Sequence, residues 1–180
     1  DADRGSRPDR GKRLRVIEPL VRRARREDAG QLLELRRAVT FEGGDEDRPA
    51  SRPGYDDEFR AFLTRALEGG GWDIWVAEVD GRLAGHVYVA LVDKVPRPVR
   101  ESTRIAYLTN VYMRPELRGQ GIGGTLVERA QEAAREADVE LMIVWPSEDG
   151  VTFYERHGFE RPQEPMIWEA APTQRRSRDA

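Results

Sequence analysis

The sequence contains no cysteine and only two histidines, His86 and His157. The lack of cysteine excludes a disulfide framework, a thiolate nucleophile and a cysteine zinc site, and two histidines argue against a multi-histidine metal centre. No apolar run approaches the roughly 20 residues that a membrane-spanning helix needs. The N-terminal stretch is charged but has no apolar segment, so it lacks the pattern of a secretory signal. We therefore expect a cytoplasmic protein without a metal and without membrane association.

The composition of the 180 residues is that of one folded domain. The chain is 38% hydrophobic and has four tryptophans and five phenylalanines, enough to build a core. Its net charge of -3 gives no general attraction to nucleic acid, which disfavours a nucleic-acid-associated role for its arginine-rich ends. We expect a flexible basic tail over residues 1–15, a single domain over 16–171 and a flexible tail over 172–180.

Hydrophobic periodicity predicts a mixture of strands and helices. A strong hairpin signal, Asp80-Gly81, joins two of the strands, and Gly85 predicts a bulge or close packing. The run 141–145 lacks alternation, which is typical of a strand buried on both faces and parallel to its neighbour. The predicted strands are 20–24, 72–79, 83–92, 105–113 and 141–145, with closing strands at Phe159 and 166–169. The predicted helices are 29–39, 55–67, 123–137 and 150–156.

A glycine-rich turn stands between the strand 105–113 and the helix 123–137. Arg114-Pro115 ends the strand, because proline cannot donate to a sheet ladder. The first amides of a helix are unpaired and carry about half a positive charge. Glycines in front of them allow a phosphate to approach the backbone, because no Cβ stands in the way. The stretch is therefore a candidate site for a pyrophosphate.

Two common phosphate motifs do not fit this turn. The dinucleotide fingerprint requires G-x-G-x-x-G, whereas the order here is Arg118-Gly119-Gln120-Gly121-Ile122-Gly123. A Walker turn would end in G-K-[ST], and Gly123-Gly124-Thr125 lacks the lysine.

The spacing Arg118-x-x-Gly121-x-Gly123 closely resembles the acetyl-CoA signature of the GNAT N-acetyltransferase superfamily. A second segment, Phe153-Tyr154-Glu155-Arg156-His157-Gly158-Phe159, resembles the Tyr-x-x-x-Gly-Phe segment of the same family, and the likeness extends over Leu20 to Ala170. It implies an α/β fold (an α+β mixed sheet) with a GNAT-like central sheet of six to seven strands. About four helices would flank this sheet, and the parallel strands 105–113 and 141–145 would be splayed to admit CoA.

The resemblance also implies a set of site residues and acetyl-CoA as co-substrate. Tyr154 would be the catalytic acid that protonates the leaving thiolate. The cofactor would contact the end of the central strand, the glycine turn and one serine near the second motif. These residues are Val111, Tyr112, Met113, Arg118, Gly119, Gln120, Gly121, Ile122, Gly123, Gly124, Thr125 and Ser147.

The sequence departs from the family pattern at two places. Ser147 and Gly150 stand where the family often has asparagine and alanine, which weakens the expected serine contact with pantetheine. The strand 105–113 contains no glutamate to act as a general base, which leaves Glu42, Asp45, Glu101 or a water chain. The acidic loop 40–54 is either a solvated surface or a rim that attracts a cationic amine. His86 fits a structural role better than a catalytic one.

We therefore predict an N-acetyltransferase that moves an acetyl group from acetyl-CoA directly to a primary amine. The acceptor is a small molecule or a protein, no nucleic acid or membrane partner is expected, and a homodimer is left open. A non-catalytic acyl-CoA-binding sensor or regulatory module is the alternative, because the strand glutamate is missing.

Overall fold

The computed structural model describes residues 18–42, 51–69, 71–99 and 102–161. They belong to two units, one ending at Trp145 and the other beginning at Pro146. The predicted tails, 1–15 and 172–180, lie outside the described residues, and the single domain over 16–171 stays a prediction.

The first unit contains one mixed sheet, as predicted. Its strands in the described residues are β1 (Leu20–Arg23), β2 (Trp72–Val79), β3 (Arg82–Asp93), β4 (Arg104–Met113) and β5 (Val139–Val144), in the spatial order β1-β2-β3-β4-β5. The neighbouring pairs are antiparallel, except that β4 and β5 are parallel.

The predicted count of six to seven strands is wrong for this part of the chain, which has five. Gly158, at φ +80°, follows the last helix, and Phe159 after it lies in irregular structure rather than in a strand. The strand predicted at 166–169 lies outside the described residues.

Three helices pack on the sheet of the first unit: α1 (Ala29–Phe41), α2 (Tyr55–Leu67) and α3 (Ile122–Glu136). Leucines of α1 and the apolar side of α2 form one buried cluster with Ile74, Val76 and Tyr88. α3 contacts β2 and β3, and its buried residues Leu126, Val127 and Ala130 do not belong to that cluster. The sheet thus separates two apolar layers, which is the usual arrangement of an α/β domain.

Strand β4 is irregular where the site is expected. Thr109 pairs with Tyr88 and Tyr112 pairs with His86, so Asn110 and Val111 together oppose Val87. Asn110 has φ +54°, a left-handed conformation that asparagine tolerates better than most residues, and this makes a β-bulge. The pairing of β4 with β5 ends at Leu108 and Val144, so residues 109–113 extend beyond the last paired residue of β5.

The predicted irregularity at Gly85 is also present. The register between β2 and β3 shifts at this point, where Ala77 pairs with Gly85 and Glu78 with Leu83. A Cβ on Gly85 would lie 2.5 Å from the Tyr112 carbonyl oxygen and 2.7 Å from the Met113 Cε atom. The missing side chain therefore allows β3 to approach the end of β4.

Candidate active site

The glycine turn begins directly after β4. A short 3₁₀ helix, Pro115–Leu117, is followed by the extended Arg118 and then by Gly119 and Gly121 at φ +72° and +80°. A Cβ added at either glycine would meet no atom within 4 Å. Glycine is required here by the backbone conformation, and no atom of the described residues fills the space beside these two glycines.

The backbone amides of the turn are mostly available to a ligand. The amide of Arg118 donates to the Pro115 carbonyl at 3.2 Å, and the amide of Thr125 donates to the Gly121 carbonyl at 3.1 Å. The six amides between them, 119–124, donate to no acceptor among the described residues. They lie at the N-terminus of α3, a helix of 15 residues whose dipole favours an anion. This arrangement fits a diphosphate.

The side chain of Arg118 is half-exposed but is bonded to other groups of the protein. Its Nε donates to the Met113 carbonyl at 3.0 Å, and its Nη1 and Nη2 contact the two Glu42 carboxylate oxygens at 2.6 and 2.7 Å. The guanidinium also lies 5.7 Å from the centre of the Tyr112 ring. The contact with Glu42 was not predicted, because 76 positions separate the two residues in sequence.

Arg118, Glu42 and Tyr112 lie close enough to shift one another's pKa values. The hydrogen bond from Arg118 holds the pKa of Glu42 below its usual value, and the same bond raises the pKa of Arg118. Burial, together with the nearby negative charge of Glu42, raises the pKa of the Tyr112 phenol. At neutral pH these three groups are therefore a carboxylate, a guanidinium and a neutral phenol.

The backbone of Val111 and Met113 faces away from β3. The amide of Arg114 donates to the Ala84 carbonyl of β3 at 2.8 Å. Because successive residues of a strand direct their backbone groups to opposite sides, Met113 and Val111 direct theirs toward the β5 side. The side chain of Tyr112 is buried in the cluster beneath α1 and α2.

Of the residues predicted as possible bases, only Glu42 lies among the described residues, and neither it nor His86, for which we expected a structural role, is poised to take a proton. Glu42 is ion-paired and more acidic than usual. His86 is fully buried, its two ring nitrogens have no hydrogen-bond partner within the described chain, and burial lowers its pKa to about 3. Asp45 and Glu101 lie outside the described residues.

The second unit brings together the other two predicted site residues. Tyr154 lies on α4 (Val151–Arg156), and Ser147 precedes the 3₁₀ helix Glu148–Gly150. A Cβ on Gly150 would lie 3.1 Å from the Ser147 Oγ atom and 3.5 Å from the Tyr154 Cε2 atom. The glycine that departs from the family pattern thus gives both side chains room.

A cavity of about 340 Å³ lies elsewhere in the first unit. Leu67, Trp72, Ile74 and alanines of α3 line it, whereas no predicted site residue does. We therefore do not assign it to the site. Among the described helices, none has the length and apolar character to cross a bilayer.

Comparison with known proteins agrees with this geometry. Residues 70–161 match the family model described as Acetyltransferase (GNAT) domain. An uncharacterized N-acetyltransferase of Archaeoglobus fulgidus is 29% identical over 108 residues, which are 58% of this chain and 69% of that protein. A second, from Methanocaldococcus jannaschii, is 26% identical over 118 residues, which are 61% of this chain but 47% of that protein.

The fold is shared with a solved structure, a predicted acetyltransferase with acetyl-CoA from Clostridium acetobutylicum. The TM-score is 0.69 at 24% identity, covering 84% of this chain and 96% of that one. The chain belongs to the GNAT acetyltransferase family. It is an acetyltransferase with acetyl-CoA as co-substrate, and the acetyl group must pass to an acceptor.

Proposed function

We propose that the protein transfers the acetyl group directly from acetyl-CoA to a primary amine on a small molecule or a protein. The amine nitrogen attacks the thioester carbonyl, a C–N bond forms, the C–S bond breaks, and CoA leaves as a thiol. The observation that carries this proposal is a row of six amides, 119–124, at the start of α3, which donate to no acceptor in the described part of the chain. The relatives' description as N-acetyltransferases supports an amine as the acceptor.

The glycine turn and the end of β4 supply the proposed donor site. The diphosphate of CoA accepts hydrogen bonds from the free amides of Gly119, Gln120, Gly121, Ile122, Gly123 and Gly124. Arg118 and Thr125 delimit this row, because their own amides are bonded within the protein. Charge-assisted bonds of this kind are among the stronger ones in proteins.

The pantetheine arm would then pair with β4 as an added strand. Val111 and Met113 direct their backbone groups to the side on which β4 extends past β5, and this orientation supports the proposal. The Met113 carbonyl already accepts a bond from Arg118, so its amide is the group left for the ligand. A donor amide near the thioester would stabilise the negative charge that develops on the carbonyl oxygen.

Tyr154 is our candidate for the acid that protonates the thiolate, and Ser147 for a pantetheine contact. A phenol has a pKa of about 10 and a thiol one of about 8.5, so a positioned tyrosine can donate to a departing thiolate. The support for these two roles is the match to the second family motif. The general base stays open, because Glu42 is ion-paired and made more acidic by Arg118.

Calorimetric titration with acetyl-CoA, followed by a panel of amines assayed for free thiol, tests the proposal. We expect binding, and thiol release with at least one primary amine. Binding without release from any amine would instead indicate a module that only holds acyl-CoA.

The role of Tyr154 is tested by Tyr154→Phe, with Tyr55→Phe on α2 as the control. We expect the first variant to bind acetyl-CoA normally and turn over more slowly, by about 10²- to 10⁴-fold if the proton transfer is lost entirely. The control should match the wild type in both measurements. Normal turnover of Tyr154→Phe would refute its role as the acid.

A further inference from the structure

The surroundings of Arg118 assign it a different task from that of a phosphate ligand. Its guanidinium uses both edges: Nε bonds to the Met113 carbonyl, and the two terminal nitrogens bond to both oxygens of Glu42. This fork geometry satisfies the side chain within the protein. The cation is thereby turned toward the end of β4 and the end of α1.

Glu42 ends this chain of contacts on the α1 side. It is the residue that caps the C-terminus of α1, and its amide donates to the Ala38 carbonyl at 2.8 Å. About a third of its side chain, 32%, is exposed, and its negative charge lies close enough to the Tyr112 phenol to raise the pKa of that group. One carboxylate therefore binds the first residue of the glycine turn, and through Arg118 it is connected to the Met113 carbonyl at the end of β4.

We propose, building on the donor site assigned above, that Glu42 is a positioning residue for acetyl-CoA. It fixes the Arg118 guanidinium, and Arg118 in turn fixes the Met113 carbonyl and the start of the turn. The free amides 119–124 and the Met113 amide are then held in one arrangement before the donor arrives. The benefit to binding comes from this preorganisation rather than from a contact between either side chain and the ligand.

The contact between Arg118 and Glu42 could serve either of two roles, and the two roles predict opposite effects of substitutions on acetyl-CoA affinity. If Arg118 bound the diphosphate, Glu42 would compete for the cation and repel the anion, so Glu42→Gln would tighten binding. Lysine also binds phosphate as a point charge, so Arg118→Lys would be tolerated. If instead the Glu42–Arg118 ion pair holds the glycine turn in place, both variants weaken binding. Glutamine lacks the negative charge, and lysine lacks the planar guanidinium that can bond to two oxygens at once.

The test is the acetyl-CoA dissociation constant of the full chain, measured by calorimetry for Glu42→Gln, Arg118→Lys and the double variant. We expect each single variant to bind about three- to ten-fold more weakly, and the double variant no more weakly than the worse single one. Glu42→Asp, which keeps the charge, should recover part of the affinity.

The matched control is Asp56→Asn. It breaks the ion pair between Arg37 and Asp56, at 2.5 Å, whose side chains are 44% and 34% exposed, against 48% and 32% for Arg118 and Glu42. Its affinity should equal that of the wild type. Tighter or unchanged binding by Glu42→Gln, or wild-type affinity in Arg118→Lys, would overturn the inference while leaving the donor site intact. A wild-type protein that does not bind acetyl-CoA would overturn both.

Discussion

Replacing Gly121 by leucine separates binding from folding at the glycine turn. Gly121 has φ +80°, and a Cβ there would meet no atom within 4 Å. Because the Cβ meets no atom of the described residues, we expect the main cost to the folded protein to be backbone strain, about 1–2 kcal/mol for a left-handed conformation. For a chain of this size we expect the thermal midpoint to fall by roughly 2–8 °C.

The same leucine should remove acetyl-CoA binding. Its side chain would occupy the open space beside amides 119–124, where we place the diphosphate. A hydrogen bond to a charged group contributes about 1.5–3 kcal/mol, so the loss of two such bonds costs about 3–6 kcal/mol. This corresponds to a dissociation constant raised more than about a hundredfold.

The control for this experiment is Gly69→Leu. Gly69 follows α2, has φ +94° and is equally open, so its leucine carries similar strain without standing at the turn. We expect the two variants to melt at similar temperatures while only Gly121→Leu loses the ligand in calorimetry. A Gly121→Leu protein with normal acetyl-CoA affinity would refute the assignment of the turn.

Three further substitutions, at His86, Gly85 and Gly30, test the packing of the strands and helix around the site. Burial lowers the pKa of His86 to about 3 in the folded protein, against about 6.5 in the unfolded chain. Only the unfolded chain therefore gains a proton as the pH falls below 6.5, and the free energy of unfolding should drop by about 2 kcal/mol from pH 7 to pH 5. His86→Leu should remove this pH dependence in urea titrations. An unchanged slope would contradict this account. Gly85→Ala should destabilise the fold by about 1–3 kcal/mol and weaken acetyl-CoA binding, because its Cβ would lie 2.5 Å from the Tyr112 carbonyl oxygen. If the variant has the free energy of unfolding of the wild type, β4 can move away from the new Cβ without cost. Gly30→Ala, where the Cβ meets nothing within 4 Å inside α1, should stabilise the protein by about 0.4–1 kcal/mol in the same titrations, and a loss would contradict the open site.

Local patterns predicted the elements well because each helix and strand repeats its own apolar period. The helix over 55–67 and the strand over 72–79 have the predicted bounds, and the others shift by about two residues or fewer. Gly85 also signalled the bulge of β3 correctly. The predicted strand at Phe159 was wrong, because the motif around Gly158 constrains the turn but not the conformation of the residue after it.

Only part of the candidate site could be predicted from the sequence. The turn 118–124 could be recognised because glycine spacing and the start of a helix are adjacent in sequence. The bulge at Asn110 was not predicted, although an asparagine within a run of strand-forming residues is a weak indication of one. The contact between Glu42 and Arg118 had none, because nothing in the sequence shows that the end of α1 meets the end of β4.

The amino-acid sequence alone determined the strand, the glycine turn and the helix that together expose unbonded amides, because backbone conformation follows from neighbouring residues. It also identified the family through two short motifs. The tertiary structure decided how these parts are oriented: where β4 extends past β5, which amides the protein already uses, and which carboxylate holds Arg118. Those features depend on packing between segments far apart in the chain, so no local pattern records them.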